Sequence, residues 1–226
     1  MNTNNIIYTA ISDNKDSLLD LSKFKHEFDA VAFVDNPEEI MSKGWELRKL
    51  AKFTSDKRFA GRRNAKIYKI MPTVFFPDIE YSLWVDGTHF PTMAIDDIIG
   101  RCLGDCDIAM FNHPLRNCIY AEGEELLRVH RDHPSLIKDQ LSYYKEANYP
   151  INNGLVSNTV ILRRHTEIIH QLELAWWEQI CRYSSRDQLS LMFVAERFNV
   201  KVGIMPGDWL SNDMIPQHSQ HLRALE

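Results

Sequence analysis

The run Tyr81-Ser-Leu-Trp-Val-Asp-Gly-Thr88 constrains this chain more than any other segment. Apolar, β-branched and aromatic residues lead to a single carboxylate, and a glycine follows at once. A strand buried on both faces at the centre of an α/β sheet has this composition. Asp86 then stands at the strand's carboxyl end, the edge at which open α/β sheets bind ligands. Gly87 lets backbone or ligand approach closely, and Thr88 adds a hydroxyl. A carboxylate so placed can hold a divalent metal on a substrate diphosphate. Equally, it can start a turn after a core strand.

The flanking sequence supplies strands and helices around this run. Asn5 to Ile11 and Asp29 to Val34 read as short buried strands, stopped by the polar turns Ser12-Asp13-Asn14 and Asp35-Asn36-Pro37. Residues 38–58 are mixed and leave room for a short helix. A helix over Arg62 to Met71, ended by Pro72, feeds the 81–86 strand. Beyond it come a helix over Asp96 to Leu103, a strand over Ile108 to Phe111, and two helical stretches over Gly123 to Tyr144, broken near His133-Pro134. A strand over Leu155 to Leu162 ends at Arg163-Arg164. The clearest helix is Ile168 to Tyr183, where Ile169, Leu172, Ala175, Trp176 and Ile180 recur at three- and four-residue spacing. A helix over Asp187 to Phe198 and a strand over Lys201 to Met205 follow. Ile215 to Glu226 is polar and His-rich, and is expected to be a mobile flap.

No linker composition divides the 226 residues, so one domain over 1–226 is expected. Its nucleotide-binding half covers about 1–90, its acceptor half about 91–210, and a flexible tail 211–226. Hydrophobic residues at 44% and charged residues at 25% fit a globular chain able to bury a sizeable core. A net charge of −5 without a basic stripe argues against nucleic acid as a partner. Cys102, Cys106, Cys118 and Cys181 form no CxxC pair, which excludes zinc-ribbon and thioredoxin readings and suits reduced thiols. Met1-Asn-Thr-Asn-Asn5 has no basic leader region, and no apolar stretch is long enough to span a membrane. A cytoplasmic location is expected, with peripheral contact at the inner membrane face left open.

Three further constellations carry chemistry. Arg62-Arg63-Asn64-Ala65-Lys66, upstream of the central strand, offers cations to a nucleotide diphosphate, or else a solvated helix face. Asn112-His113-Pro114-Leu115-Arg116 and Tyr120-Ala121-Glu122-Gly123-Glu124 can hydrogen-bond sugar hydroxyls and complement a phosphate. As an alternative they form a charged loop with Glu122 and Glu124 near a helix amino end. In Ser184-Ser185-Arg186-Asp187-Gln188, Ser185 reads as an N-cap with Gln188 completing a capping box. That reading leaves Arg186, Asp187 and Gln188 unexplained as a set. His218 and His221 stand three apart near the carboxyl terminus, at a spacing that can meet one metal or simply belong to a solvated tail. His130 and His133 suggest a surface turn, while His26, His165 and His170 read as structural.

Taken together, these segments resemble a bacterial and plant glycosyltransferase-like domain long catalogued as of unknown function, whose plant members are linked to seed mucilage and wall polysaccharides. The resemblance rests on Arg63-Asn64-Ala65-Lys66, Pro72, Phe76-Pro77, the 81–88 run, His113-Pro114-Leu115-Arg116, Tyr120-Ala121-Glu122-Gly123-Glu124 and Ser185-Arg186-Asp187-Gln188-Leu189-Ser190. It implies an α/β, single-domain GT-A fold with a mixed, mostly parallel central sheet flanked by helices, a nucleotide-sugar donor and a divalent metal, Mn²⁺ or Mg²⁺. Most GT-A enzymes carry Asp-x-Asp, whereas this chain has Asp86-Gly87-Thr88. Asp86 with His221 or His218 and the diphosphate would then complete the metal site. The Asp187-Gln188 pair is also similar to a block in glycogenin-type retaining enzymes.

The expected activity is transfer of a sugar from a nucleoside diphosphate sugar to a hydroxyl of a glycan or lipid-linked acceptor, in surface polysaccharide synthesis. On that reading Arg63, Asn64 and Lys66 face the nucleotide or its phosphates, and His113, Arg116 and Glu122 line the donor sugar. Arg186, Asp187 and Gln188 form the catalytic set, with Asp187 either a general base or a carboxylate facing the anomeric carbon. One rival is a nucleotidyltransferase, although Ile11-Ser12-Asp13-Asn14 lacks the glycine-rich loop expected of one. The other is a catalytically silent glycan-binding or scaffold subunit.

Overall fold

The computed structural model describes residues 4–13, 16–24, 28–54 and 60–218. Its strands are β1 (Asn5–Ile11), β2 (Asp29–Val34), β3 (Glu46–Lys49), β4 (Tyr81–Val85), β5 (Ile108–Asn112), β6 (Val156–Arg164) and β7 (Val202–Ile204). Its α-helices are α1 (Ala60–Ile70), α2 (Pro72–Phe75), α3 (Ile95–Cys102), α4 (Ile119–Arg128), α5 (Pro134–Glu146), α6 (Glu167–Arg182) and α7 (Leu191–Arg197). The seven strands form one mixed sheet in the order β3-β2-β1-β4-β6-β5-β7. β1, β2, β3 and β4 run parallel, β5 and β7 are parallel to each other, and β6 is antiparallel to both β4 and β5.

The period of two along each strand builds a core on each face. Ile6, Tyr8, Val31, Phe33, Trp84, Met110 and Ile161 meet α4, α5, α6 and α7 on one side. Ile7, Ala32, Val34, Leu83, Val85, Phe111 and Leu162 meet Ile95, Ile98 and Cys102 of α3 on the other. The central strand β4 is buried from Ser82 to Val85, as its apolar run requires. Because β6 runs against its neighbours, its beginning lies at the same sheet edge as the carboxyl ends of β1, β4 and β5. Among the described residues no helix is long and apolar enough to cross a membrane.

Three expectations change. Among its described residues, the 38–58 segment holds the end of a 3-10 turn, Pro37–Glu39, and the edge strand β3. Gly44, at φ +90°, turns the chain there, and Trp45 is buried with its Nε1 donating to the Leu19 carbonyl at 3.0 Å. Pairing with β2 then decides a sequence that is locally ambiguous. The 187–198 helix is in two parts, a 3-10 turn Asp187–Leu189 and then α7. The Ser190 hydroxyl between them bonds the Asp187 carbonyl at 3.3 Å and receives Trp176 Nε1 at 3.1 Å. The end of the chain is anchored as far as it is described. Met214 and Ile215 are buried, Gln217 bridges to His89, and His218 N donates to the Thr88 carbonyl at 2.8 Å. Residues 219–226 of the expected flap, together with His26 and Asn14, lie outside the described residues.

One buried polar network ties α6 and β6 to α1. The Arg163 guanidinium has no solvent exposure and lies 3.3 Å from Glu173 Oε1. It donates to Tyr8 Oη at 2.9 Å and to the Lys69 carbonyl at 3.0 Å. Thr73 closes the network on Glu173 Oε2 at 2.6 Å. Burial pushes the Glu173 carboxyl up to about 7, and Arg163 opposes that shift. Removing one partner of a buried pair leaves an uncompensated charge. Arg163→Met is therefore expected to cost about 3–5 kcal/mol, read as a loss of unfolding free energy in a urea titration.

Candidate active site

A cleft of about 870 Å³ opens at the edge where β1, β4 and β5 end and β6 begins. Its floor is an ion-pair lattice. Lys66 and Lys69 are three residues apart on α1, so both project from one helix face. Lys66 Nζ lies 2.6 Å from Asp187 Oδ2. Lys69 Nζ lies 3.1 Å from the same oxygen and 3.2 Å from Asp86 Oδ1, which also receives Trp84 Nε1 at 2.9 Å. Burial alone would raise both carboxyls, but Lys69 and Lys66 hold Asp86 below its ordinary range, and the same pair holds Asp187 far below it. Lys69 has the opposite history, since burial lowers it and Asp187 and Asp86 more than restore it. Lys66 keeps the imprint of burial and falls to about 7, against the pull of Asp187.

The Asp187 turn is held from behind by Asp132. Its buried carboxylate accepts from Ser184 Oγ at 2.9 Å and from both the backbone N and Oγ of Ser185 at 2.7 Å. Ser185 is thus a tether to Asp132 and not the expected N-cap. Gln188 accepts from Arg186 Nη2 at 3.1 Å, so no capping box forms. On the facing wall Arg116 Nε donates to Glu122 Oε2 at 2.6 Å. His113 Nδ1 accepts from the backbone N of Leu115 and Arg116, which leaves Nε2 to carry the proton 3.6 Å from Glu122. Burial lowers the His113 pKa despite Glu122.

The structure therefore gathers Lys66, Asp86, His113, Arg116, Glu122, Arg186, Asp187 and Gln188 around one cleft. Sequence reasoning missed Lys69, Arg131, Asn158 and Trp209 there, and Asp132 behind it. The three-residue step from Lys66 was the one available signal, and it pointed to Lys69. Other expected residues stand apart. Arg63 donates to the carbonyls of Ile180 and Tyr183 at the end of α6, at 3.0 and 2.9 Å. Asn64 is buried and clamps the backbone of Phe53 and Thr54. His218 Nε2 meets the Phe90 carbonyl at 3.0 Å, and its ring packs edge-on against Phe24. His221 lies outside the described residues.

These placements bear on a divalent cation. Asp86 already contacts a lysine ammonium and an indole N–H, and His218 is turned away from the cleft. Among the described residues no three His, Cys, Asp or Glu side chains gather to hold a metal. Asp86 and His218, as placed, do not by themselves make a divalent-ion site, and positive charge at the Asp86 carboxylate comes from Lys69.

A mixed sheet with a charged cleft at its strand ends, floored by two lysines and two carboxylates, defines an α/β protein with its candidate site at the strand-end edge. Residues 45–210 match the model of the TOD1/MUCI70, glycosyltransferase-like domain, and the chain belongs to that family. Over 151 residues, 62% of this chain, it is 29% identical to "Probable hexosyltransferase MUCI70" of Arabidopsis thaliana. The match covers 26% of that protein, so the chain spans about a quarter of the length of the curated relative. Among solved structures, apo mouse xyloside xylosyltransferase 1 superimposes with a TM-score of 0.51 at 10% identity, over 89% of this chain and 84% of that one. At that identity the likeness is one of fold, and the fold is that of a glycosyltransferase.

The lysine pair predicts a pH dependence. Lys66 loses its proton as pH rises through about 7, and the cleft loses a positive charge. Arginine keeps its charge throughout this range. Pyrophosphate affinity, measured by calorimetry between about pH 6 and about pH 8.5, is expected to decline above neutrality relative to Lys66→Arg. The ligand's own ionisation is common to both proteins and cancels.

Proposed function

We propose that the protein is a glycosyltransferase that moves a hexosyl or related sugar from a nucleoside diphosphate sugar to a hydroxyl of a glycan or lipid-linked acceptor, in the synthesis of a surface polysaccharide. The observation that carries this reading is the single cleft in which Lys66 and Lys69 stand beside Asp86 and Asp187. Transfer from such a donor develops negative charge on a departing diphosphate. Preorganised cations aimed at that charge stabilise the transition state. Lys66 and Lys69 would supply them from the floor, with Arg186 from the wall. The donor phosphates would compete with Asp187 for Lys66, and the lattice would hand its charge from an internal partner to the ligand.

Asp187 suits one of its two expected roles better. A general base works best with a pKa near the operating pH, and two lysines hold this carboxylate far lower. It would act as a fixed negative charge facing the anomeric carbon, where positive charge develops. His113, Arg116 and Glu122, locked to one another, would line the sugar and give it hydrogen bonds of both senses. Membership of a glycosyltransferase-like family and the name of the plant relative support the same class of reaction.

Incubation with a panel of nucleotide sugars, followed by assay of released nucleotide, tests the reading and names the donor. Slow hydrolysis of one donor, quickened by an acceptor glycan, is expected. Asp187→Asn should lower that turnover by about 10²–10³-fold, the scale of a lost electrostatic contact, while a thermal melt run alongside still shows a cooperative transition. Retention of near wild-type turnover in that variant would remove Asp187 from the mechanism.

A further inference from the structure

Among the described residues, Asn158 is the one that lines the cleft with a buried side-chain amide whose polar atoms are both unpartnered. It is 2% exposed, it lines the cleft, and neither Oδ1 nor Nδ2 has a hydrogen-bond partner. Buried polar groups are partnered as a rule, and each exception asks for a physical account. The backbone around it shows that the placement is built in. Along β6 the pairing with β5 jumps from Met110 opposite Ile161 to Phe111 opposite Ser157, so Asn158, Thr159 and Val160 have no partner in β5. Bulges of this kind re-aim side chains beside active sites. The other side of the bulge is fixed to the end of β4. Val160 pairs with Val85, and the Thr159 carbonyl accepts from Asp86 N at 2.9 Å. The hydroxyls of Ser157 and Thr159 bond each other at 3.2 Å and do not serve the amide between them.

We infer that Asn158 binds the sugar of the donor, donating through Nδ2 to one hydroxyl and accepting through Oδ1 from another. The inference rests on the glycosyl-transfer reading. A phosphate oxygen only accepts, so the diphosphate could satisfy Nδ2 and would leave Oδ1 bare. Neighbouring sugar hydroxyls offer an acceptor and a donor together, which is what a bare amide lacks. The residue after Asn158, Thr159, is the one bonded to the Asp86 backbone, so the amide and the Asp86 turn share the strand-end side of the cleft.

The test is Asn158→Leu, which keeps the branched shape of the side chain with some added bulk and removes both polar atoms. Replacing an unpartnered buried amide with an apolar group relieves its desolvation, so the unfolding midpoint should hold or rise. Calorimetric titrations then compare UDP-glucose and GDP-mannose with UDP and GDP. For the nucleotide sugar that the wild type binds, affinity should fall about tenfold, the worth of about one or two hydrogen bonds. Affinity for the matching bare nucleotide should change less than about twofold. An equal loss for nucleotide and nucleotide sugar would assign Asn158 to the nucleotide and overturn the inference. So would unchanged binding of a sugar that the wild type takes. Wild-type protein that binds no member of the nucleotide-sugar panel would overturn the glycosyl-transfer reading, and this inference with it.

Discussion

The position of Lys69 is the constraint on which the cleft depends. Its carbonyl is held by Arg163 at 3.0 Å and by Tyr8 Oη at 3.3 Å, inside the core. Its ammonium reaches out to Asp86 and Asp187, from two segments far apart in sequence. The ring of Trp84 lies 5.3 Å beneath that ammonium and adds a cation–π contact. A buried charge is tolerated only with partners, and here the partners line the candidate cleft. Core packing and site geometry are therefore coupled, because the Arg163–Glu173 pair fixes the backbone from which the lysine projects.

The same lattice explains the electrostatic character of the cleft. Two ammonium groups and two carboxylates nearly neutralise one another in the described structure, so the floor is stable without a ligand. On the proposed reading, a diphosphate entering the cleft would meet cations already desolvated and held in place. Lys66 is the more exposed of the two at 13% of its side chain, against 5% for Lys69. That difference separates a lysine free to change partners from one that holds the frame.

Much of the fold was legible because it depends on local pattern. The strands that became β1, β2, β4 and β5 each read as an apolar run with a polar stop, and Asp86 was found from its place at the end of one. Helix α6 announced itself by periodicity. What the sequence hid were features set by distant partners. β3 exists because β2 offers an edge. Ser185 looked like a cap, yet its hydroxyl faces Asp132, which is 53 residues away in sequence. Arg63 looked like a phosphate ligand, and the end of α6 claims it. Asn158 sits in an ordinary-looking strand, and only the jump in pairing with β5 reveals that its side chain is redirected.

The reversed direction of β6 has a consequence for how such a chain can vary. Its first residues, Ser157 to Thr159, line the cleft, while its last, Arg163 and Arg164, lie at the opposite sheet edge. A one-residue slip in a strand swaps its faces. Gain or loss of a residue between Tyr149 and Leu155 would thus threaten the cleft, unless the bulge absorbed it. The short link from β6 to α6 bears instead on the buried Arg163. Drift in length is more readily accommodated in connections that touch neither, and natural variants are expected to concentrate their insertions there.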